Sequence, residues 1–258
     1  VEKAHLGASD CVSGAAVVLN VKDFSVLAAS TYPGYDLTRF MEDKSYYSEL
    51  ANDKAVPLLN RAFLGAYAPG SIYKPLVACA ALDSGKITPD DTITCSGSFN
   101  YYSGYRLRCM GVHGAANLKL ALSKSCNVYF AELGRRLGAD LLKEYANKFG
   151  IGVKTGIEVG ESSGIVAGPE HSKAVGAHWY ESGSSQAAIG QSDNMITPVQ
   201  LATYVATIAN NGVRYKTHLV NKITDYSRNK LIREIAPEVI ENLNISEENL
   251  KAVQSSMR

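Results

Sequence analysis

The sequence predicts an α+β domain, in which strands near both ends of the chain flank a largely helical middle. Three observations lead to this prediction: two apolar runs around a polar turn at 14–30, helical patterns at 71–85 and 117–149, and a strand-like run at 213–224. The chain has 258 residues, 46% of them hydrophobic and 20% charged, with a formal net charge of +1. This composition is typical of one large or two small globular domains. A charge so near neutrality argues against a general nucleic-acid binder.

The first third of the chain combines a hairpin, an irregular stretch and a helix. Residues 14–30, "GAAVVLNVKDFSVLAAS", predict an antiparallel hairpin. Residues 31–60 are rich in Tyr, Asp and Asn, show little periodicity, and are expected to form an irregular surface stretch. The run "SIYKPLVACAALDSG" at 71–85 predicts a helix, because Gly85 stands where a glycine commonly ends one.

The middle of the chain is expected to change from loops to helices. Residues 87–115 are polar and rich in Tyr and Gly, which favours loops with minor strands. From 117 to 149 the apolar spacing is helical, with breaks near Ser125 and Gly138.

The last quarter predicts a helix, a strand and a second helix. Thr197 suits an N-cap, Pro198 suits the first helical position, and Gly212 follows the end of the run. The segment "VRYKTHLVNKIT" at 213–224 indicates a strand. Ser246 is the expected N-cap of a final helix.

Targeting and membrane signals are not visible in this chain. The apolar run "PLVACAAL" near 75–82 is too short to cross a bilayer, and residues 1–10 carry charges without an apolar core of a leader peptide. We therefore expect any membrane anchor to lie outside this chain. Five cysteines in 258 residues do not form a dense disulfide framework.

The segment "YAPGSIYKP" at 67–75 contains a candidate nucleophile, Ser71, three residues before Lys74. On a helix these two side chains share one face, with Cβ atoms roughly 5–6 Å apart. Pro75 is tolerated only in a first turn, so Ser71 is predicted near a helix N-terminus, where backbone N–H groups favour developing negative charge. A serine hydroxyl needs a base. Lys74 can act as one when neutral, which at pH 7 requires about 4–5 kcal/mol of desolvation or charge repulsion.

Further short motifs match the letters of enzymes that attack β-lactams and D-Ala-D-Ala peptides, in which Ser-x-x-Lys is joined by Ser-x-Asn and Lys-Thr-Gly. Two segments fit Ser-x-Asn: "SCN" at 125–127, at the break between two helical segments, and "SDN" at 192–194, just before a helix cap. One segment, "KTG" at 154–156, fits Lys-Thr-Gly.

Four segments, in the correct order, resemble the transpeptidase domain of a monofunctional class B penicillin-binding protein of the Gram-positive type. They are "GAAVVLNVKDFSVLAASTYPGYD", "PLLNRAFLGAYAPGSIYKP", "HGAANLKLALSKSCNVYF" and "QAAIGQSDNMITPVQLATYVATIANNG". The resemblance covers most of the chain. It implies a serine β-lactamase/DD-peptidase-like fold, with an antiparallel sheet flanked by helices and an all-helical subdomain.

The resemblance also distinguishes the segments expected to be catalytic motifs from those that match only in their letters. It makes Ser125 and Asn127 the second motif and the run at 192–194 a coincidence of letters. The family's Lys-Thr-Gly lies on a strand after the Gly-Gln segment, whereas 154–156 precedes that segment and is followed by Ile157 instead of a small hydroxyl residue. We therefore expect the third-motif strand to lie beyond Arg258, so that residues 1–258 form a transpeptidase domain incomplete at its C-terminus.

The activity implied by the resemblance is D-Ala-D-Ala transpeptidation, which cross-links peptidoglycan stem peptides without a cofactor. Ser71 attacks the penultimate D-Ala carbonyl, Lys74 takes the hydroxyl proton, Ser125 relays a proton to the leaving nitrogen, and Asn127 holds the peptide amide. β-Lactams are expected to acylate Ser71. The alternatives are a serine β-lactamase, superficially suggested by Glu-x-x-Asn within "VIENLNIS" at 239–246, and a non-catalytic β-lactam sensor.

The same resemblance implies a cellular setting. The parent protein is expected on the extracytoplasmic face of the cell membrane, anchored by an N-terminal helix absent from this chain. It is expected to pair with a membrane glycosyltransferase of the cell-wall machinery and to bind no nucleic acid.

A Cys/His segment precedes the second motif. Cys95, Cys109 and His113 fall in the spacing Cys-x13-Cys-x3-His, and the second pair resembles half of a structural zinc site. Three nearby residues are candidates for a fourth ligand: Asp90, Asp91 and Cys126. A Cys95–Cys109 disulfide and free thiols remain the alternatives. A metal here is expected to act through folding by bracing the second motif.

Overall fold

The computed structural model describes residues 11–258 and has the α+β architecture that the sequence predicts. The strands are β1 (Gly14–Leu19), β2 (Val26–Tyr32), β3 (Ile93–Cys95), β4 (Ser98–Phe99), β5 (Leu107–Arg108), β6 (Gly114–Ala116), β7 (Val213–Tyr215), β8 (Lys222–Thr224), β9 (Leu231–Glu234) and β10 (Val239–Asn242). The helices are α1 (Leu37–Glu42), α2 (Lys44–Asn52), α3 (Lys74–Asp83), α4 (Leu118–Ser123), α5 (Asn127–Lys148), α6 (Pro169–Ala174), α7 (Gly183–Ala187), α8 (Pro198–Ala209) and α9 (Glu247–Ser256).

Between residues 11 and 258 the strands form five two-stranded sheets, and every pairing of named strands is antiparallel. The predicted hairpin at 14–30 is confirmed as β1 and β2, which pair from Gly14 opposite Tyr32. The predicted minor strands at 87–115 are β3 to β6, of which β3 pairs with β6 and β4 with β5. These small sheets carry the chain from α3 to the second-motif region.

The hydrophobic core lies between α3 and α5. Nine of the ten residues of α3 are buried, and Leu76 and Val77 have no solvent exposure. Helix α7 packs against α5 closely enough that a Cβ on Gly134 would lie 2.4 Å from the Ser184 carbonyl oxygen, so only glycine fits there. This packing fixes α3, and with it Ser71 and Lys74, relative to the start of α5.

The irregular stretch predicted at 31–60 is wrong in part, because it contains α1 and α2. Asp36 caps α1 by accepting from Thr38 N and Arg39 N, and Asp43 caps α2 by accepting from Ser45 N. Helix α1 has no buried residue. A helix without an apolar face shows no hydrophobic period, so its aspartate caps were the remaining signal.

The single strand predicted at 213–224 is also wrong, because the structure breaks it into β7 and β8, which have different partners. The intervening backbone turns away: Thr217 N donates to Thr155 O, and His218 N donates to Phe24 O. The helical breaks predicted near Ser125 and Gly138 are confirmed, since Ser125 separates α4 from α5 and Gly138 has a non-helical φ of 73° inside α5.

No helix in residues 11–258 has the length and apolarity needed to cross a membrane. The charged N-terminal segment considered as a leader, residues 1–10, lies outside the described residues.

Candidate active site

Ser71 lies in a 3-10 turn, Gly70–Tyr73, that leads directly into α3. Pro75 lacks the N–H that would donate to the Ser71 carbonyl in an α-helix, so the N–H of Lys74 donates to it instead. Gly70 has a φ of 58°, a conformation that favours glycine. The turn exposes Ser71 at the start of a helix, where the sequence analysis predicts it.

Lys74 is buried directly beneath this turn, with an exposed fraction of 1%. Its Nζ lies 3.2 Å from Ser71 Oγ, 2.8 Å from Ser125 Oγ and 2.7 Å from Asn127 Oδ1. The Ser125 carbonyl oxygen is a fourth acceptor at 2.8 Å. Burial lowers the pKa of Lys74 to about 8, although nearby Cys109 and Cys126 partly oppose this shift. A lysine with this pKa is neutral in a substantial fraction of molecules near pH 8.

The break between α4 and α5 brings Ser125 and Asn127 to Ser71. Ser125 has a φ of 50°, which is uncommon for a residue other than glycine and is often found at functional sites. Its Oγ donates to Ser71 Oγ at 2.7 Å. Asn127 donates its Nδ2–H to the Arg108 carbonyl at 3.0 Å, which orients its Oδ1 toward Lys74. The four residues that the sequence predicts for catalysis therefore lie in one hydrogen-bonded group.

A cleft of about 440 Å³ opens beside this group. Its lining consists of Ser71, Ile72, Lys74, Pro75, Leu122, Ser123, Ser125, Ser256, Met257 and Arg258. Among residues 11–258, the lining contains no Asp or Glu side chain.

Two contributors to the site were not found from the sequence. The Arg108 carbonyl holds Asn127, and the ring of Phe130 lies 5.6 Å from Lys74 Nζ. Arg108 is 19 residues from Asn127 and contributes only its backbone, so no side-chain pattern points to it. Phe130 is three residues beyond Asn127 in α5, but its apolar character alone predicts only core packing.

The Lys-Thr-Gly run at 154–156 lies in an irregular segment after α5, outside the named helices and strands. The Glu161 carboxylate accepts from Thr155 N, Thr155 Oγ1 and Gly156 N at 2.8–2.9 Å. Lys154 is exposed. The Glu161 carboxylate therefore closes this run into a turn in which Thr155 is buried, and the run is absent from the lining of the cleft.

The Ser-Asp-Asn run at 192–194 also has a structural environment of its own. Asn194 has no solvent exposure; it accepts from Ala167 N at 2.9 Å and donates to the carbonyls of Ala187 and Gln191. The Asn194 side chain therefore bonds to three backbone groups, and neither of its polar atoms is available to a substrate.

The Cys/His segment forms a compact cluster beside the second motif. Ligand atoms of Cys95, Cys109, His113 and Cys126 all lie within 4.8 Å of one another. The Sγ atoms of Cys95 and Cys109 lie 3.5 and 3.6 Å from His113 Nδ1, and Cys109 Sγ lies 3.9 Å from Cys126 Sγ. Tetrahedral zinc with bonds of about 2.1–2.3 Å places its ligand atoms roughly 3.5–4 Å apart. The side chains present therefore fit a Cys3His zinc site.

Of the three candidates for the fourth ligand, the structure brings in Cys126. Asp90 and Asp91 are exposed, and the Asp91 carboxylate accepts from Thr88 N instead. All five cysteines of residues 11–258 are free thiols, so the alternative Cys95–Cys109 disulfide is not formed.

A comparison with family models matches residues 14–258 to the penicillin binding protein transpeptidase domain. The chain is 35% identical over 219 residues to peptidoglycan D,D-transpeptidase MrdA of Haemophilus influenzae, which covers 82% of this chain and 34% of the relative. The chain thus spans about a third of the length of that curated relative.

Solved structures give the same fold. Penicillin-binding protein A from M. tuberculosis, as its imipenem acyl-enzyme complex, aligns with a TM-score of 0.85 and 25% identity over 98% of this chain and 58% of that chain. A peptidoglycan synthase complex that coordinates polymerization and crosslinking aligns with a TM-score of 0.82 and 28% identity, over 95% of this chain and 42% of that chain. With the family model matched over nearly the whole chain, this protein belongs to the penicillin-binding protein transpeptidase domains, with the serine β-lactamase/DD-peptidase-like fold expected of them.

Proposed function

We propose that this chain supplies the acylating residues of a serine D-Ala-D-Ala transpeptidase that cross-links peptidoglycan stem peptides and is acylated by β-lactams. The observation that carries the proposal is the hydrogen-bonded group of Ser71, Lys74, Ser125 and Asn127 at the cleft. The nucleophile Ser71 lies within hydrogen-bonding distance of its base, Lys74, and Ser125 and Asn127 hold Lys74 in place. An activated serine nucleophile has this arrangement.

In the first half-reaction, the neutral Lys74 amine accepts the Ser71 hydroxyl proton as Oγ attacks the carbonyl carbon of the penultimate D-Ala. The oxyanion that forms lies near the N-terminal end of α3, where the Ser71 N–H is the first donor that the turn offers. The proton then passes from Lys74 to Ser125 Oγ, which is 2.8 Å away, and on to the nitrogen of the departing D-Ala.

In the second half-reaction, an amine of a neighbouring stem peptide attacks the acyl-enzyme. Ser125 Oγ passes the proton of this amine to the neutral Lys74 amine, and Lys74 returns a proton to Ser71 Oγ as that oxygen leaves and the new amide forms. Asn127, whose amide is oriented by the Arg108 carbonyl, binds the peptide backbone of the donor strand. This chemistry needs no cofactor.

The cleft favours this activity over that of a β-lactamase, because rapid hydrolysis requires an extra base for water. The lining described above includes no Asp or Glu. Glu241, the acid of the Glu-x-x-Asn pattern, lies on β10 opposite Arg214 of β7. A non-catalytic sensor would share the acylated serine but release no D-Ala from stem peptide.

The nucleophile is tested with a fluorescent penicillin and a stem-peptide substrate, using the natural full-length protein that contains this chain. Ser71→Ala is expected to abolish both covalent labelling and D-Ala release, because the variant loses the attacking oxygen and Ser125, the other serine bonded to Lys74, acts only as the proton relay. Ser123→Ala, at an exposed serine of the cleft lining, is the matched control and is expected to label normally. Persistent labelling of Ser71→Ala would disprove the assignment, and rapid release of the penicilloyl group would identify a β-lactamase.

We also propose that Cys95, Cys109, His113 and Cys126 bind one structural Zn²⁺. The metal would supply a fixed tetrahedral junction, and its chemistry would be confined to folding. Cys109 Sγ already accepts from Asn127 N at 3.3 Å, and Cys126 Sγ accepts from Tyr129 N at 3.4 Å. Because Cys126 stands between Ser125 and Asn127, the same four ligands would brace both residues of the second motif.

Metal analysis of protein purified without added zinc is the direct test. We expect one zinc per chain, lost in Cys109→Ser and retained in Cys11→Ser, since Cys11 is a free thiol outside the cluster. Intact mass with and without reductant provides the contrary outcome: a Cys95–Cys109 disulfide in metal-free protein would exclude the site.

The cellular setting is proposed from the same chemistry. Peptidoglycan stem peptides lie outside the cytoplasmic membrane, so we place the full-length protein at the extracytoplasmic face, acting with a membrane glycosyltransferase. Similarity to a chain of a complex that coordinates polymerization and crosslinking supports this pairing. The Gram-positive assignment, and a third-motif strand beyond Arg258, stay predictions.

A further inference from the structure

Tyr204 of α8 is a buried phenol that reaches the turn carrying Ser71. Its exposed fraction is 0%, and its hydroxyl donates to the carbonyl oxygen of Ile72. Ile72 directly follows Ser71 in the 3-10 turn that precedes α3, so this hydrogen bond acts on the backbone that orients the nucleophile. Burial raises the pKa of Tyr204 well above its usual value, so the phenol keeps its proton and its role as donor.

The turn depends on contacts from outside itself. A 3-10 turn has poorer hydrogen-bond geometry than an α-helix, and Pro75 removes one backbone donor from the first helical turn. The segment before α8 also contacts the turn, since Gly70 N donates to the Gly190 carbonyl at 2.8 Å. A Cβ on Gly190 would lie 2.0 Å from Gly70 O, so the two backbones are too close for any residue other than glycine at position 190.

A second contact joins the same two segments. Tyr67 and Ile196 form an antiparallel bridge, with N···O distances of 3.0 and 2.8 Å. Residues 190–204 therefore hold the stretch 67–72 at three places, and Tyr204 is the only one of the three contacts made by a side chain.

The Tyr204 ring is itself fixed. Phe149 packs against it edge to face, with ring centroids 6.0 Å apart and an interplanar angle of 90°. A hydroxyl on an immobilised ring defines where its acceptor lies, in contrast to a flexible side chain that follows its partner.

We propose that Tyr204 is a positioning residue for the transpeptidase reaction, which sets the orientation of Ser71 by holding the Ile72 carbonyl. The inference rests on the proposed function of Ser71. Tyr204 touches no reacting atom, so its removal should slow the acylation step and leave initial ligand binding unchanged.

The test is the acylation of full-length protein by a β-lactam, resolved into the dissociation constant of the initial complex, Kd, and the first-order acylation constant, k2. In Tyr204→Phe, which removes one hydroxyl, we expect k2 to fall by about ten- to hundredfold, because small misplacements of a reacting group have effects of that size. Kd is expected within about twofold of wild type, and the final labelling at one equivalent.

Tyr145→Phe is the matched control. Tyr145 donates its hydroxyl to the Asp83 carboxylate at the opposite end of α3, so its loss removes a comparable hydrogen bond from the same helix. We expect wild-type k2 in this variant, even where its melting temperature falls as far as that of Tyr204→Phe.

Several outcomes would overturn the inference. Wild-type k2 in Tyr204→Phe, or an equal fall in Tyr145→Phe, would reduce Tyr204 to a packing residue. A normal k2 with incomplete final labelling would likewise indicate loss of folded protein only.

If Tyr204→Phe does not fold, Phe149→Leu loosens the ring and keeps the hydroxyl, and a k2 equal to that of wild type would then contradict the inference. Labelling that survives Ser71→Ala is a separate result, which refutes the proposed function itself.

Discussion

Lys74 and Lys154 stand in two regions that both match motif letters of serine acyltransferases, yet their surroundings differ. Lys74 is 1% exposed and faces four acceptors within 3.2 Å. The Lys154 side chain is exposed and makes no hydrogen bond or ion pair with residues 11–258. The difference shows that a three- or four-letter motif does not by itself identify a catalytic lysine. Burial of the lysine, and hydrogen-bond partners from distant segments of the chain, determine whether it can act as a base.

The sharpest way to break this comparison is to remove each lysine. Lys74→Ala in full-length protein is expected to lower the penicillin acylation rate by about 10²- to 10⁴-fold, because the general base is lost. Lys154→Ala should stay within about twofold of wild type, as is usual for an exposed residue away from the site. Stopped-flow labelling measures both. Equal losses in the two variants would show that 154–156 belongs to the active site.

The pH dependence of acylation sharpens the comparison further. Burial lowers the pKa of Lys74 to about 8, so the amine is mostly protonated at pH 6 and mostly neutral at pH 9. The active form is the neutral one, so k2 should rise about tenfold per pH unit below pH 8 and level off above it. Lys154→Ala should keep the same profile. A rate that still rises in proportion to hydroxide above pH 9 would contradict the lowered pKa.

The smallest expected effect concerns the turn at 154–156. Glu161→Gln weakens three hydrogen bonds to Thr155 and Gly156, and should lower the free energy of unfolding by about 1.5–3 kcal/mol while k2 stays unchanged. Glu170→Gln is the control, since its ion pair with Lys143 is exposed and is expected to contribute little to stability. Urea denaturation measures both. A changed k2 in Glu161→Gln with unaltered stability would assign the turn a role in the reaction.

The sequence was sufficient for features that depend on neighbouring residues. Pro75 limits where α3 can begin, and Ser71 accordingly lies in the 3-10 turn immediately before α3. Thr197 and Gln200 form the capping box of α8, and Ser246 caps α9. The four candidate catalytic residues were found because each pair lies within one short segment and the resemblance joined the segments.

The sequence did not predict features that depend on contacts with backbone far away in the chain. The run 213–224 breaks because Thr217 and His218 bond to segments about 60 and 190 residues away in the chain. The choice of Cys126 over Asp90 and Asp91 depends on the pairing of β3 with β6, which brings Cys95 close to His113. The pKa of Lys74 depends on burial, which no local pattern reports.

The Lys74 nitrogen has four oxygen neighbours, although an ammonium group carries three hydrogens and a neutral amine two. The hydrogens can therefore be distributed over the same heavy atoms in more than one arrangement. Exchange among these arrangements moves protons while the oxygens and the nitrogen stay in place, so the group suits either charge state of the amine without reorganisation. A noncovalent inhibitor that imposes one arrangement must offset the configurational entropy that the free site retains.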